Sequence, residues 1–437
     1  MNLILLSGGS GKRLWPLSND IRSKQFIKIF KTTDGYESMV QRMYRLIRQT
    51  DPHAVITLAT SKTQVSSLHN QLGKNIDISV EPCRRDTFPA IALATAYLHD
   101  VKGISADEAV VVCPVDPYVN EEWFSALHQL HTLAQKGTAN LCLLGIHPTY
   151  PSEKYGYIIP QTQDAVSAVK TFKEKPDVKT AETYISQGGL WNGGVFAYKI
   201  GYVLKRAHEL IDFTDYQDLF HKYETLQKIS FDYAVAEKEP DIAVMRFNGE
   251  WKDLGTWNTF TEVMQDPTIG NVRLDNTCKN LHVINELDLP IVCMGLKNTV
   301  VAASPEGILI ADKHQSSYLK PIVDKIVQDV QFAEKSWGSY HVLDTQKDSL
   351  TIRITLNPGH KMNYHSHARR NEVWTIVSGQ GRAIVDGMEQ PVKPGDVITM
   401  QAGCKHTLIA DTELKVIEVQ LGTNICAEDK EIYQIEE

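Results

Sequence analysis

The chain lacks a basic excess, a long apolar run, paired cysteines and repeats, and each absence removes a class of protein. Its 437 residues carry a formal charge of −8, the wrong sign for a nucleic-acid binder. That excludes nucleic acid as a partner but leaves room for a local cationic pocket around a nucleotide. No apolar run approaches the roughly 20 residues needed to span a bilayer, and Met1–Leu6 is too short for a signal-peptide core. A soluble, cytoplasmic protein with no membrane partner is expected. The seven cysteines (Cys83, Cys113, Cys142, Cys278, Cys293, Cys404, Cys426) are scattered, odd in number and form no C-x-x-C pair. This points to a reducing compartment and argues against a zinc ribbon. Hydrophobic content of 42% with 22% charged residues is ordinary for a globular chain, and the length calls for two or three domains.

Two common phosphate loops are missing too. Leu14 stands where G-x-G-x-x-G needs its last glycine, and Arg13 where a Walker A loop needs Ser or Thr. What is present is Leu3-Ile4-Leu5-Leu6-Ser7-Gly8-Gly9-Ser10-Gly11-Lys12-Arg13, an apolar strand-like run breaking into three glycines and two cations. Such a loop either reverses the chain or lets successive backbone N–H groups converge on one anion.

Along the first 265 residues, apolar runs of strand length (2–6, 54–59, 76–80, 109–113, 141–146) alternate with helical patterns (38–48, 90–99, 124–134). That alternation implies an α/β domain with a mainly parallel, Rossmann-like sheet and a site at the carboxyl ends of its strands. Asp86-Thr87-Phe88-Pro89 has the composition of a helix start. From about residue 270 the texture becomes short and β-like until a helical pattern at 318–327. From about 334 to 420, short strands with Gly/Pro turns suggest a small β-barrel or sandwich. The expected division is 1–265, 266–330 and 331–437.

Ser7-Gly8-Gly9-Ser10-Gly11-Lys12-Arg13-Leu14-Trp15-Pro16-Leu17-Ser18 resembles the signature loop of sugar-phosphate nucleotidylyltransferases, and Leu-Trp-Pro resembles the mannose-1-phosphate guanylyltransferase version. Lys12 replaces the family's usual Thr. The resemblance implies a Mg²⁺-dependent enzyme taking GTP and mannose 1-phosphate, with a β-rich connecting domain of short left-handed β-helix type; it also allows a homodimer. Ser7 to Lys12 would bind the nucleotide, and Arg13 and Lys24 (of Ser23-Lys24-Gln25-Phe26) would contact its phosphates. Asp116, at the end of an apolar run, and Asp253, in Trp251-Lys252-Asp253-Leu254-Gly255-Thr256-Trp257, match the family's metal carboxylates. Oxygen ligands of this kind suit Mg²⁺. Glu81, Arg85, Asp86 and Thr87 match the guanine-side segment, with Arg84, Asp86 and Phe88 departing from it. An Asp86 carboxylate could accept from N1–H and N2–H₂ of guanine, or could simply cap the helix. Lys175 and Glu174 resemble the sugar-phosphate and sugar-hydroxyl contacts, Asn192 a diol reader and Gly156 a close-approach glycine. Another base or sugar remains the alternative, since the departures fall where nucleotide choice is made.

Gly359-x₅-His365-x-His367-x₄-Glu372-x₆-Gly379 matches the first cupin motif, and Gly395-x₅-Gln401-Ala402-Gly403-x₂-His406 resembles the second. Two His at i, i+2 of a strand face one way. With Glu372 and His406 they make a set for Zn²⁺, Fe²⁺, Mn²⁺, Co²⁺ or Ni²⁺. Trp337-Gly338-Ser339-Tyr340 and Glu418-Val419-Gln420-Leu421-Gly422 resemble bifunctional enzymes that add mannose-6-phosphate isomerase activity. In that reading Arg370 would hold a 6-phosphate and no base stands out; a purely structural metal is the other reading.

Overall fold

The computed structural model describes residues 1–9, 12–423, 425–426 and 429–434. Contacts divide the chain into two bodies: Met1–Ser10, Lys24–Val65 and Asn75–Gln265 form the first, and Gly11–Ser23, Ser66–Lys74 and Asp266–Glu437 the second.

The first body is built on nine strands: β1 (Asn2–Leu6), β2 (Val55–Ser61), β3 (Asp77–Glu81), β4 (Ala109–Pro114), β5 (Leu141–Ile146), β6 (Tyr157–Pro160), β7 (Val166–Lys173), β8 (Leu190–Lys199) and β9 (Ile242–Phe247). They pair in the order β3-β2-β1-β4-β8-β5-β9-β7-β6. β1 runs parallel to β2 and β4, β2 to β3, and β5 to β9. β8 lies antiparallel to β4, β5 and β6, and β7 antiparallel to β9 and β6. Seven of the nine therefore run one way, with β7 and β8 against them. Leu3, Ile4 and Leu5 are wholly buried, as are Val110, Val111 and Val112, as central strands covered on both faces require. Because β1, β3 and β4 are parallel, Ser7, Glu81 and Asp116 all leave the sheet at its carboxyl edge.

Helices form where the spacing predicts, with shifted ends. The first, Met39–Thr50, has Ser38 as its cap in a reciprocal box with Gln41. Thr87–Ala96 starts at Asp86, as expected, and passes into a wider turn over Tyr97–Val101. The helix expected over 318–327 shrinks to a 3₁₀ turn, Gln315–Tyr318, and one α-turn, Lys320–Val323. Leu319 and Val323 are buried, but Ile322 and Val327 are 66% and 97% exposed, so the covered apolar stripe is too short to stabilise a longer helix.

In the second body, short strands stack in parallel: Thr268–Ile269 on His282–Asn285 on Thr299–Ser304, and Val272–Leu274 on Ile291–Cys293. A small core of Val272, Leu281, Val283, Cys293 and Val301 fills the stack. Beyond it lie a six-stranded and a five-stranded antiparallel sheet. Ile354, Trp374 and Val416 from one and Ala383, Leu408 and Ala410 from the other share one core, the two-layer β architecture of a cupin barrel. Among the described residues, no helix is long and apolar enough to cross a membrane.

Candidate active site and metal centre

At the carboxyl edge of the first body, Asp116 follows β4, and the short strand Pro117–Val119 pairs with Trp251–Asp253 so that Asp253 faces Pro117. The pairing brings the two carboxylates together around Lys24. Its Nζ lies 2.8 Å from Asp116 Oδ2 and 3.3 Å from Asp253 Oδ1. Burial alone would lower the Lys24 pKa, but the two carboxylates outweigh it and hold the ammonium above its ordinary value. Gln25, on the same turn, donates to Ser7 O at 2.7 Å and so ties Lys24 to the glycine loop. The expected metal pair is thus brought together, with an internal cation on it. Two carboxylates converging on one positive charge suit a hard divalent ion.

The described part of the loop is open. Gly9 has φ +149 and a Cβ there would meet nothing within 4 Å; Ser7 Oγ is buried without a hydrogen-bond partner. Ser10 and Gly11 lie outside the described residues. Lys12 pairs with Asp20 at 3.7 Å and Arg13 is exposed on the 3₁₀ turn Lys12–Leu14; both belong to the second body. Gly8 comes closest to Glu81, whose Oε1 would lie 3.8 Å from its Cβ. Burial raises the Glu81 pKa, against a 2.8 Å hydrogen bond from the Tyr223 hydroxyl.

The guanine-side residues are committed to local structure. Asp86 accepts from Thr87 N at 2.8 Å as the helix cap, at φ 69 and ψ −174, backbone that glycine alone adopts cheaply. Thr87 Oγ1 accepts from Phe231 N, and Arg85 donates to Glu224 O. Of Asp86's two sequence readings, the cap is the one with a partner in the structure.

The sugar-side residues converge. Asn192 N donates to Gly156 O at 2.8 Å. Lys175 Nζ lies 2.7 Å from Glu174 Oε1, on a residue strained at φ 46. Sequence reasoning missed Asp232, which accepts from Asn192 Nδ2 at 2.6 Å. Burial, then the Glu174 charge, pushes its carboxyl up to about 6. It sits in the four-residue helix Phe231–Ala234 just after the cap Ser230, where an acid reads as ordinary helix-terminal chemistry.

In the barrel, His365 and His367 come from Tyr364–His367, Glu372 from Arg370–Ser378 and His406 from the start of His406–Ala410. All four are at most 3% exposed, and one donor atom from each lies within 4.8 Å of the others. The three Nδ1 atoms lie 2.7, 3.2 and 3.0 Å from the carbonyls of Asn363, Asp429 and Cys404. Donation there leaves each Nε2 with a lone pair, the outer-shell pattern of metal-binding histidines. Burial holds His365 at about 3 and His367 at about 4, so both stay neutral. Glu372 is buried too, yet hydrogen bonding and charge from His406, and then His367 and Arg370, keep it at about 2. Glu372 Oε2 and His406 Nε2 face each other at 3.1 Å, both buried. The set fits a divalent transition metal. Arg370 aims inward at Glu372, His367 and Cys426 O rather than out toward a phosphate.

A cavity of about 140 Å³ reaches His365 and His367 of this cluster and is lined also by Arg370, Glu418, Gln420 and Lys430. Glu418 stands in a segment that carries the sequence resemblance, but sequence reasoning assigned it no role. It accepts from Trp374 Nε1 at 2.9 Å and from Gln420. Burial, then the Glu372 charge, brings its carboxyl up to about 7, suited to moving a proton near neutrality.

With this geometry in view, residues 2–268 match the family described as nucleotidyl transferase. The chain belongs to that family. Residues 324–437 of this transferase match a second family, mannose-6-phosphate isomerase C-terminal. Among curated relatives, a mannose-1-phosphate guanylyltransferase of Salmonella typhimurium (strain LT2) is 29% identical, covering 98% of this chain and 96% of its own. The xanthan biosynthesis protein XanB of Xanthomonas campestris pv. campestris (strain B100) is also 29% identical, with the same coverage. Among solved structures, one described as mannose-1-phosphate geranyltransferase from Thermus thermophilus aligns with a TM-score of 0.62 and 28% identity. It covers 74% of this chain and 98% of that one. The transferase is therefore similar to the two curated relatives over both of its halves.

Proposed function

We propose that the transferase moves GMP from GTP to mannose 1-phosphate, releasing pyrophosphate and GDP-mannose. The observation that carries this reading is the Asp116–Lys24–Asp253 cluster at the sheet edge beside the glycine loop, in a chain matched end to end by guanylyltransferases. Asp116 and Asp253 would hold Mg²⁺, which would supply charge screening for the triphosphate. Lys24, Arg13 and the loop N–H groups would stabilise the departing pyrophosphate, while Lys175 would orient the attacking sugar phosphate. Positioning and electrostatics would then carry most of the rate. Glu81, Arg85, Asp86, Thr87 and Lys12 would frame the nucleotide. With a nucleoside triphosphate as substrate we assign the protein to the cytoplasm, and a homodimer is tested by light scattering.

The test is pyrophosphate release with mannose 1-phosphate and Mg²⁺ in separate GTP, ATP, CTP and UTP reactions. GTP alone should respond. Arg13→Ala should lower turnover about 10²–10³-fold with an unchanged unfolding midpoint; wild-type turnover in that variant would sink the assignment.

A second activity, aldose–ketose isomerisation of mannose 6-phosphate in the barrel, is favoured by Glu418, which lines one cavity with His365 and His367 of the four-residue cluster. Its check is fructose 6-phosphate formed from mannose 6-phosphate, lost in Glu418→Gln.

A further inference from the structure

The sugar-side cluster contains one carboxylate more than its motif segments do. Asn192 has most of its amide engaged: Oδ1 accepts from Gly194 N at 3.1 Å and Nδ2 donates to Asp232 at 2.6 Å. What that amide fixes is Asp232. Glu174 is 6% exposed. Its Oε1 is held by Lys175, while its Oε2 is buried with no hydrogen-bond partner in the structure. A buried carboxylate oxygen without a donor is costly unless a ligand brings one. Gly156 keeps that oxygen clear, since a Cβ there would sit 2.4 Å from Glu174 Oε2 and 3.3 Å from Asn192 Cβ.

We propose that Asp232 joins Glu174, the hydroxyl contact already expected from the sequence, in accepting a hydrogen bond from a second hydroxyl group of the hexose 1-phosphate, with Asn192 a positioning residue acting through Asp232. This rests on the transferase reading above. Two carboxylates this close repel once both are ionised, and the Glu174 charge already raises the Asp232 carboxyl. Hydroxyl donors relieve that repulsion, and charge-assisted bonds to them are strong. A sugar lacking the matching hydroxyl leaves a buried carboxylate unpaired, which is how such a site rejects it.

The experiment compares wild type with Asp232→Asn on whichever hexose 1-phosphate the wild type turns over, and on analogues each lacking one ring hydroxyl. The variant should raise KM for the sugar phosphate about 10–100-fold, equivalent to one to two tenfold steps in binding, and leave KM for the nucleotide unchanged. One analogue that the wild type penalises should cost the variant nothing further. Glu174→Gln, carried through the same cycle, should lose the penalty for a different hydroxyl; it also keeps the test available if Asp232→Asn does not fold. A variant that pays the wild-type penalty on every analogue, or loses nucleotide and sugar affinity in step, overturns the inference alone. A wild type silent with every hexose 1-phosphate and nucleotide overturns the transferase reading and this inference with it.

Discussion

Lys24 stands where two anions would otherwise face each other across a few ångströms. A divalent ion held by Asp116 and Asp253 would have to displace the Lys24 ammonium, which would then be free to meet a triphosphate oxygen. Lys24→Met should therefore bind Mn²⁺ more tightly than wild type in the absence of nucleotide, by about tenfold, the scale of one removed charge near the surface. Turnover should fall at the same time by about 10²-fold or more. Titration calorimetry or Mn²⁺ resonance reads the first effect without any catalysis. An unchanged or weaker Mn²⁺ affinity would mean that Lys24 stabilises the carboxylate pair without competing for it.

At the level of the element, the helix Thr87–Ala96 decides what Asp86 is for. Its carboxylate accepts from Thr87 N at the helix start, and its φ of 69 with ψ −174 is a conformation that Asp and Asn adopt at the same cost. Asp86→Asn keeps both the cap and the conformation. It should leave the unfolding midpoint unchanged and leave the preference among the four nucleoside triphosphates intact; a collapse of GTP selectivity would show that the carboxylate reads the base. Strands and caps were legible in the sequence because burial imposes apolar runs and a helix N-terminus demands an acceptor. The barrel ligands were legible for a similar reason, since a strand alternates its faces and a metal fixes the spacing. Asp232 and Glu418 were not legible. Each is held by a partner remote in sequence, Asp232 by Asn192 and Glu418 by Trp374, and no local period marks a residue whose partner lies 40 or 44 positions away. The helix expected over 318–327 failed for the converse reason: its local pattern was present, but the surface that covers it reaches Leu319 and Val323 and leaves Ile322 and Val327 exposed.

For the molecule as a whole, acid acts in opposite directions on different groups. Asp232 is raised to about 6 from 3.8, so it favours the folded state most at low pH, and that contribution is lost as pH rises through about 6. His365 and His367 are depressed from 6.5 to about 3 and 4. The unfolded chain takes up protons there that the folded chain refuses, so stability falls as pH drops below 6.5. At pH 5 each costs about 2 kcal/mol. Hydrogen exchange over Tyr364–His367 and Arg370–Ser378 should accelerate between pH 6.5 and 5 after correction for intrinsic rates. At pH 7 a chelator should accelerate it and added Zn²⁺ should restore protection. Exchange indifferent to both would mean that these four side chains hold no metal. The order of the nine-stranded sheet has a consequence of another kind. Its middle position belongs to Leu190–Lys199, the eighth of the nine strands to be synthesised, beside Ala109–Pro114. At ribosomal speed the earlier strand waits roughly 4–15 s for that neighbour, presenting an edge of valines that the finished fold buries completely. During those seconds the growing chain, not the completed enzyme, is the species most exposed to edge-to-edge aggregation, and its yield in a cell depends on what shields that edge at the ribosome.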